Sequence, residues 1–198
     1  MRFVGDLSRA DARLIEQYAA RATLALEFGV GGSTQIIAQA LLPGGRIVSV
    51  DTSTDWVNVT RQRLTRLGVV DRCTFLGWTD WRKDLHENMF DLVFVDGIDS
   101  LRHDFTQSAW ELLHPDGVMM FHDTRRPQDQ RNVLAIVAAR FNEIRSVMLN
   151  QEHDGEASNV TVIRKKALEP YVDWNVSEGR AAWQVGHGDP PESFWEGK

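Results

Sequence analysis

The sequence predicts an α/β fold in which a mainly parallel sheet is covered by helices on both faces. Short apolar runs alternate with longer segments that have the 3.6-residue period of amphipathic helices. The runs at 90–96 and 118–123 are apolar at nearly every position, as expected of parallel strands buried on both faces. A glycine-rich turn at 29–32 joins the first strand to the next helix, at the edge where such sheets bind ligands.

Local signals place the elements in order along the chain. Ser8 is a suitable cap for a first helix, with Asp11 at the third position of that helix. The later elements are five strands near 23–28, 46–51, 73–77, 90–96 and 118–123, four helices near 33–42, 54–67, 100–113 and 128–141, and a closing hairpin of 144–149 with 160–163.

Length and composition indicate one ordinary domain with a sizeable core. The chain has 198 residues, of which 42% are hydrophobic and 25% charged, as in soluble globular proteins. The net charge of −6 argues against a general nucleic-acid binder, which would need a basic face. We expect basic pairs such as Arg125-Arg126 to be solvated surface. The single Cys73 excludes an intramolecular disulfide.

The ends of the chain differ in character. The first six residues lack the apolar core of a signal peptide, and no run reaches the length of a membrane span. We therefore expect a cytoplasmic protein that does not bind membranes. Residues 167–198 are rich in proline and glycine but also carry aromatic side chains, which are costly to leave in water. We predict a domain at 1–166 and a C-terminal extension at 167–198 that packs on the domain or on a partner subunit.

The glycine turn carries the first functional signal. Glu27 ends the first strand, and Gly29 and Gly31 allow a ligand to approach the backbone before the next helix begins. Asp51 ends the second strand, about 20 residues further on, where an acid grips the hydroxyls of a ribose. Thr34 stands where a dinucleotide fingerprint needs its third glycine, and no Gly-Lys-Ser/Thr follows, so neither that fingerprint nor a phosphate P-loop is present.

The order of five short segments along the chain is informative. They are Glu27 to Thr34, Asp51, Gly77-Trp78-Thr79, Phe90 to Gly97, and Leu112 to Val118. Together they resemble the motifs of class I S-adenosylmethionine (SAM) dependent methyltransferases, over roughly residues 5–165. This resemblance implies a Rossmann-like, doubly wound sheet of seven strands, the last of them antiparallel.

The same resemblance implies SAM as the cofactor. Glu27 is expected to order the glycine turn and Asp51 to bind the ribose, while the loop after the third strand borders the adenine. The residues implied in binding SAM are Glu27, Gly29, Gly31, Ser33, Asp51, Gly77, Trp78 and Asp96.

Polar side chains converge where the fourth and fifth strands end. Asp96 and Asp99 follow the fourth strand, and His122 and Asp123 follow the fifth. One interpretation is a divalent metal bound by Asp96, His122 and Asp123, since carboxylates with imidazole suit Mn, Fe or Zn, and all-oxygen sets suit Mg. A second is a metal-free site in which these groups bind and deprotonate an acceptor. A third is a set of hydrogen-bonded caps on loops and helix starts.

These strand ends resemble a metal-dependent branch of small-molecule O-methyltransferases that acts on sugars of natural products and on catechols. The resemblance implies metal ligands at Asp96, His122 and Asp123 and a general base at Asp99. Two residues depart from the pattern of that branch: His122 replaces an oxygen ligand, and Asp99 replaces a histidine or lysine base.

We therefore predict a SAM-dependent methyltransferase that transfers a methyl group to a hydroxyl of a small molecule. Asp99 and His122 are the predicted catalytic residues, and a divalent cation such as Mg or Mn is a further candidate cofactor. The alternatives are a metal-independent O- or N-methyltransferase with Asp99 or His122 as base, and a non-catalytic domain that keeps the fold as a scaffold. A homo-oligomer is left open, and the sequence does not name the acceptor.

Overall fold

The computed structural model describes residues 7–153 and 155–167, with side chains at all of these positions except 152 and 153. The predicted C-terminal extension therefore lies, apart from its first residue, outside the described residues. Strands lie at Leu24–Phe28 (β1), Arg46–Asp51 (β2), Cys73–Gly77 (β3), Phe90–Val95 (β4), Leu113–Phe121 (β5), Ile144–Met148 (β6), Glu152–His153 (β7), Glu156–Ala157 (β8) and Thr161–Lys165 (β9).

Five α-helices accompany these strands in the described part of the chain, with three short 3₁₀ turns between them. Ser8 caps the first helix as predicted, because its hydroxyl accepts from the N–H of Asp11 while the Asp11 carboxylate accepts from the N–H of Ser8. The helices are Arg9–Ala19 (α1), Gly32–Ala40 (α2), Thr54–Arg66 (α3), Arg102–Trp110 (α4) and Pro127–Arg140 (α5), and the 3₁₀ turns are Val70–Arg72, Asp99–Leu101 and Phe141–Glu143.

Seven of the strands form one sheet in the order β3-β2-β1-β4-β5-β9-β6. Strand β9 is antiparallel to both of its neighbours, and the other six strands run in one direction. The predicted fold class, a mostly parallel doubly wound sheet with one antiparallel strand, is therefore confirmed. The predicted closing hairpin is confirmed as the pair β6–β9, although the short antiparallel ribbon β7–β8 is inserted between its strands.

Two predicted boundaries are wrong around the fifth strand. We expected a helix at 100–113 and a strand from 118, but α4 ends at Trp110 and β5 begins at Leu113. The reason is that Leu113 already pairs with Phe90 of β4. The register of the two strands then shifts between Phe90 and Leu92, where the pairing is irregular. The His-Pro-Asp-Gly stretch of the motif thus lies within the strand as a bulge, with Asp116 in the left-handed region at φ 66°.

Alternate side chains of the central strands fill two separate apolar clusters. Leu92 and Phe94 of β4 belong to the cluster that α1 and α2 cover, and Val93 and Val95 belong to the cluster that α4 and α5 cover. This alternation is the period of a strand, and it means that both faces of the sheet are buried. No helix among the described residues is long and apolar enough to cross a membrane.

The carboxyl ends of β1, β2, β4 and β5 are joined to one another by backbone hydrogen bonds. The N–H of Gly29 donates to the carbonyl of Val50 at 2.9 Å, and the N–H of Asp96 donates to the carbonyl of Phe28 at 2.8 Å. Gly29 has φ 94°, and a Cβ built on it would lie 2.7 Å from the backbone of residues 96 and 97. Both the conformation and the close approach therefore require glycine at this position.

We expect Gly29→Ala to destabilise the fold more than Gly44→Ala, which serves as its control. Gly44 also has a positive φ, 79°, but nothing lies within 4 Å of a Cβ built there. Gly44→Ala should therefore lower the free energy of unfolding by about 1–2 kcal/mol, the cost of holding an alanine in the left-handed conformation. Gly29→Ala should add an overpacking penalty of about 1–3 kcal/mol, because its Cβ meets backbone that cannot rotate away. Equal losses in urea unfolding would contradict this account of the turn.

Candidate active site

A cavity of about 470 Å³ opens at the carboxyl ends of β1, β2 and β4. Such a volume is within the range of small-molecule sites, roughly 300–1,000 Å³. Its walls are the glycine turn 29–33, residues 51–53 after β2 with Trp56 of α3, residues 96–98 after β4, and Leu7. Of the predicted SAM-binding residues, Gly29, Gly31, Ser33, Asp51 and Asp96 therefore line the cavity.

Glu27 lies beneath the glycine turn and not in the cavity. It is completely buried, and its carboxylate accepts hydrogen bonds from the hydroxyls of Ser33 at 2.5 Å, Thr34 at 2.6 Å and Ser49 at 2.7 Å. Burial raises the pKa of Glu27 to about 7, although the three hydrogen bonds oppose the shift. Its place under the first turn of α2 agrees with the predicted role of ordering the glycine turn.

Asp51 connects the end of β2 to the glycine turn. Its Oδ2 accepts from the N–H of Val30 at 2.7 Å, and its Oδ1 accepts from the N–H of Ser53 at 2.7 Å. A carboxylate oxygen can accept a second hydrogen bond, so both oxygens remain able to bind a hydroxyl in the cavity. The position at the wall of the cavity is the one that a ribose-binding acid needs.

Gly77 and Trp78, predicted to border an adenine, do not line this cavity. Gly77 pairs with Asp51 in the β2–β3 register. The ring of Trp78 is half-buried and lies edge-on to Phe105, with ring centroids 4.4 Å apart. The indole that faces the cavity belongs to Trp56 instead, in the first turn of α3. Sequence reasoning missed Trp56, because its helix position carried no motif.

Asp96, His122 and Asp123 do converge, as predicted from the ends of their strands. One potential ligand atom from each lies within 4.8 Å of the other two. The His122 Nδ1 lies 3.1 Å from Asp96 Oδ1 and 3.5 Å from Asp123 Oδ1. Only Asp96 of the three reaches the cavity wall, since His122 is buried behind it.

A buried guanidinium, missed by sequence reasoning, stands among these acids. Arg102 Nη2 lies 3.0 Å from Asp96 Oδ1 and 3.3 Å from Asp123 Oδ2. Its Nη1 donates to Asp129 Oδ1 at 2.7 Å, and its Nε donates to the carbonyl of Gly97 at 2.7 Å. Arg102 and Asp129 lie in different helices, and no spacing in the sequence connects them.

Arg126 extends the same ion cluster toward solvent. It contacts Asp123 Oδ2 at 2.9 Å, Asp129 Oδ2 at 2.7 Å and Asp99 Oδ1 at 3.0 Å. Arg126, which we expected to be solvated surface, is 39% exposed and is also held by these three carboxylates. Asp99, the predicted general base, is 54% exposed and does not line the cavity. Its side chain caps neither the 3₁₀ turn that it begins nor α4, and it contacts Arg126, Gln128 and, at 3.5 Å, Arg102 Nε.

His122 is held as a cation between carboxylates. Its Nε2 is buried without a hydrogen-bond partner and faces Asp11 Oδ2 of α1 at 3.6 Å. Burial alone would lower the pKa of His122. The facing carboxylates of Asp11 and Asp96 outweigh burial and, together with the charge of Asp123, raise the pKa to about 10. Burial would also raise the pKa of Asp11, but the facing imidazole of His122 and the hydrogen bonds from Ser8 and Asn159 leave that pKa below its ordinary value.

The residues present do not fit a divalent metal ion well. Arg102 Nη2 already contacts both carboxylates that would bind the ion, and Arg126 contacts one of them. The cluster is thus balanced by cations of the chain itself.

We expect His122→Gln to flatten the dependence of stability on pH above neutrality. The pKa of His122 is raised from about 6.5 in the unfolded chain to about 10 in the folded protein. Its stabilising contribution is therefore complete below pH 6.5 and is lost as the pH rises toward 10. Urea unfolding at pH 7 to 10 should show a smaller loss of stability in His122→Gln than in the wild type. His103→Gln, at an exposed position of α4, should follow the wild type; identical curves for all three proteins would refute the assignment.

Solved structures with this fold include methyltransferases that carry SAM or its demethylated product, S-adenosylhomocysteine (SAH). The O-methyltransferase TomG from Streptomyces achromogenes, involved in tomaymycin synthesis and solved with SAM, is 19% identical, with a TM-score of 0.66 and 82% of each chain covered. An O-methyltransferase from Bacillus cereus in complex with SAH is 20% identical, with a TM-score of 0.67 over 81% of this chain and 83% of that one. The SAH-bound methyltransferase PaMTH1 from Podospora anserina is 19% identical, with a TM-score of 0.60 over 78% of this chain and 77% of that one.

At these identities the likeness shows a shared fold. No curated protein sequence matches the chain. Residues 26–124, which are half of the chain, match a family model described as a methyltransferase domain. This range runs from within β1 to past the end of β5 and contains all the walls of the cavity except Leu7. The chain therefore belongs to the methyltransferase domain family.

Proposed function

We propose that this protein transfers the methyl group of SAM to a hydroxyl of a small molecule. The observation that carries the proposal is the cavity, whose walls combine the glycine turn with Asp51 and Asp96 at neighbouring strand ends. Two of the similar structures named above are O-methyltransferases with SAM or SAH bound, which supports the choice of cofactor and of acceptor atom.

The residues of the cavity divide into those suited to each part of SAM. The N–H groups at the start of α2 favour the carboxylate of the methionine moiety, because a helix amino end attracts anions. Asp51 would accept hydrogen bonds from the ribose hydroxyls, and Trp56 offers an apolar face for the adenine. When bound, SAM supplies a methyl group that its sulfonium has already activated. The chain then has to align the acceptor with it and remove one proton.

Asp96 is the best-placed group for the acceptor. Its Oδ1 is hydrogen-bonded to Arg102 and His122, and no described residue is hydrogen-bonded to Oδ2. We propose that Oδ2 receives the hydroxyl proton of the acceptor. The two predicted catalytic residues are less suited, since Asp99 is ion-paired outside the cavity and His122 is a buried cation without a free lone pair. Asp99 remains the alternative base, because it stands only three residues after Asp96.

Several finer predictions are untested by the fold and stay predictions. They are the cytoplasmic location, a homo-oligomer and the packing of the extension 167–198. The divalent ion predicted at Asp96, His122 and Asp123 is disfavoured, because Arg102 contacts both carboxylates. A non-catalytic scaffold is the remaining alternative from another class. Calorimetry with SAM tests it directly, because a scaffold that has lost the activity need not bind SAM. Conversion of SAM to SAH in the presence of sugars, phenols and amines would then identify the acceptor and separate O- from N-methylation.

Removing the proposed ribose-binding acid should weaken the binding of SAM. We expect Asp51→Ala to weaken the free energy of SAM binding by about 1–3 kcal/mol, the value of a hydrogen bond to a charged group. Asp55→Ala is the matched control, because Asp55 is an exposed acid of the same segment that does not line the cavity. Isothermal calorimetry should find the control unchanged. Equal affinity in Asp51→Ala and the wild type, with both folded, would remove Asp51 from the site.

Two aspartates after β4 should differ sharply in their effect on turnover. We expect Asp96→Asn to slow methyl transfer by about 10²-fold or more, the usual contribution of a positioned acid–base group. Asp99→Asn should leave the rate near that of the wild type, since its carboxylate faces Arg126 and Gln128. The affinity for SAM and the unfolding midpoint should be measured for both variants. The opposite order of rates would make Asp99 the base.

A further inference from the structure

We propose that Arg102 is the resident cation of the acidic cluster, and that its guanidinium holds Asp96 and Asp123 in place and excludes a divalent ion from them. The starting point is a disagreement between two features of the same residues. The ligand atoms of Asp96, His122 and Asp123 lie as close together as those of a metal site, yet a side chain of the protein stands among them.

The position of Arg102 Nη2 determines whether a divalent ion can bind to Asp96 and Asp123. Arg102 Nη2 lies 3.0 Å from Asp96 Oδ1 and 3.3 Å from Asp123 Oδ2, so a single nitrogen atom donates to both carboxylates. An ion bound to the same two oxygens would lie about 2.0–2.6 Å from each. The guanidinium nitrogen and such an ion cannot occupy this space together.

Arg102 is also firmly anchored where it stands. It is only 6% exposed, and its remaining N–H groups donate to Asp129 Oδ1 at 2.7 Å and to the carbonyl of Gly97 at 2.7 Å. A guanidinium keeps its positive charge in proteins, unlike an imidazole or an amine. An ion in solution would therefore have to displace a permanent, buried cation whose three nitrogen atoms all donate hydrogen bonds.

The same side chain shapes the wall of the cavity. Besides the Gly97 carbonyl, Arg102 donates to the backbone carbonyl of Asp96 at 3.2 Å. Residues 96–98 form one side of the cavity, so the guanidinium fixes both the backbone of this wall and the carboxylate that projects from it. Arg102 does not line the cavity, and we regard it as a positioning residue.

The test is the binding of Mn²⁺, followed by electron paramagnetic resonance, to the wild type and to variants of the full chain. We expect the wild type to bind no Mn²⁺ at the cluster. Arg102→Met removes the guanidinium nitrogen that contacts both Asp96 and Asp123, so it should gain a Mn²⁺ site that binds at least tenfold more tightly than any in the wild type. Arg102→Lys keeps the positive charge and should gain none.

Arg126→Met is the matched control. Arg126 contacts Asp123 but not Asp96, so its removal leaves Arg102 in contact with both carboxylates and should not create the site. Should Arg102→Met fail to fold by circular dichroism, Arg102→Gln replaces it, because the amide keeps hydrogen-bond donors without the charge. A wild type that binds Mn²⁺ as tightly as the Arg102 variant would overturn the proposal, and so would a folded Arg102→Met or Arg102→Gln that binds none.

A second readout separates positioning from general damage, and only this arm rests on the proposed function. Calorimetry should show that Arg102→Met weakens SAM binding at least tenfold and that added Mn²⁺ restores part of the loss. A merely structural defect would not respond to the ion, so a loss that Mn²⁺ leaves unchanged counts against the positioning role. Chelation of the wild type should not alter its SAM affinity. If the wild type itself binds no SAM, the proposed function fails while the Mn²⁺ comparison still decides the role of Arg102.

Discussion

The buried ion cluster centred on Arg102 is the interaction on which the carboxyl edge of this sheet depends. Taking a guanidinium out of water costs several kcal/mol, and only good geometry with several carboxylates can offset that cost. Here the carboxylates come from the end of β4 (Asp96), the residues after β5 (Asp123) and the first turn of α5 (Asp129). Each is placed by a different element, so the charge is compensated only when β4, β5 and α5 have docked. The side chains of the cluster therefore reach this arrangement only in the completely folded protein.

A second polar layer supports the opposite wall of the cavity by a different means. Glu27 is held by hydrogen bonds from three hydroxyl groups, of Ser33, Thr34 and Ser49. Hydroxyls can turn to suit either protonation state of the acid, whereas the guanidinium of Arg102 requires its acids to stay charged. The glycine turn thus rests on hydrogen bonds from neutral hydroxyl groups, and the wall formed by residues 96–98 rests on charge. The two halves of the proposed site should respond differently to salt, because screening affects charged pairs far more than hydroxyl contacts.

Much of this site could be predicted from the sequence, because strand ends in a parallel sheet meet at one edge. The positions where the apolar runs end were enough to predict that Asp51 and Asp96 lie at the ligand-binding edge of the sheet. They also predicted that His122 and Asp123 lie beside Asp96. The rest depends on tertiary contacts that leave no periodic signal. Arg102 and Asp129 are 27 positions apart on two helices, and only their packing brings them together. The exposure of Asp99 and the inward position of Trp56 likewise follow from how the segments after β4 and β2 turn, which residue types alone do not specify.

The glycine turn has a consequence for how the sequence of such a protein can vary. Gly29 touches the end of β4 through main-chain atoms, and the neighbouring turn presents backbone N–H groups to the cavity. Main-chain groups are the same for every amino acid, so most substitutions elsewhere leave the chemistry of this wall untouched as long as the strands keep their register. Structures that share the fold while differing from this chain at about four positions in five illustrate that freedom. Side chains, by contrast, form the cluster behind residues 96–98, so a single substitution there changes the charge and shape of that wall directly.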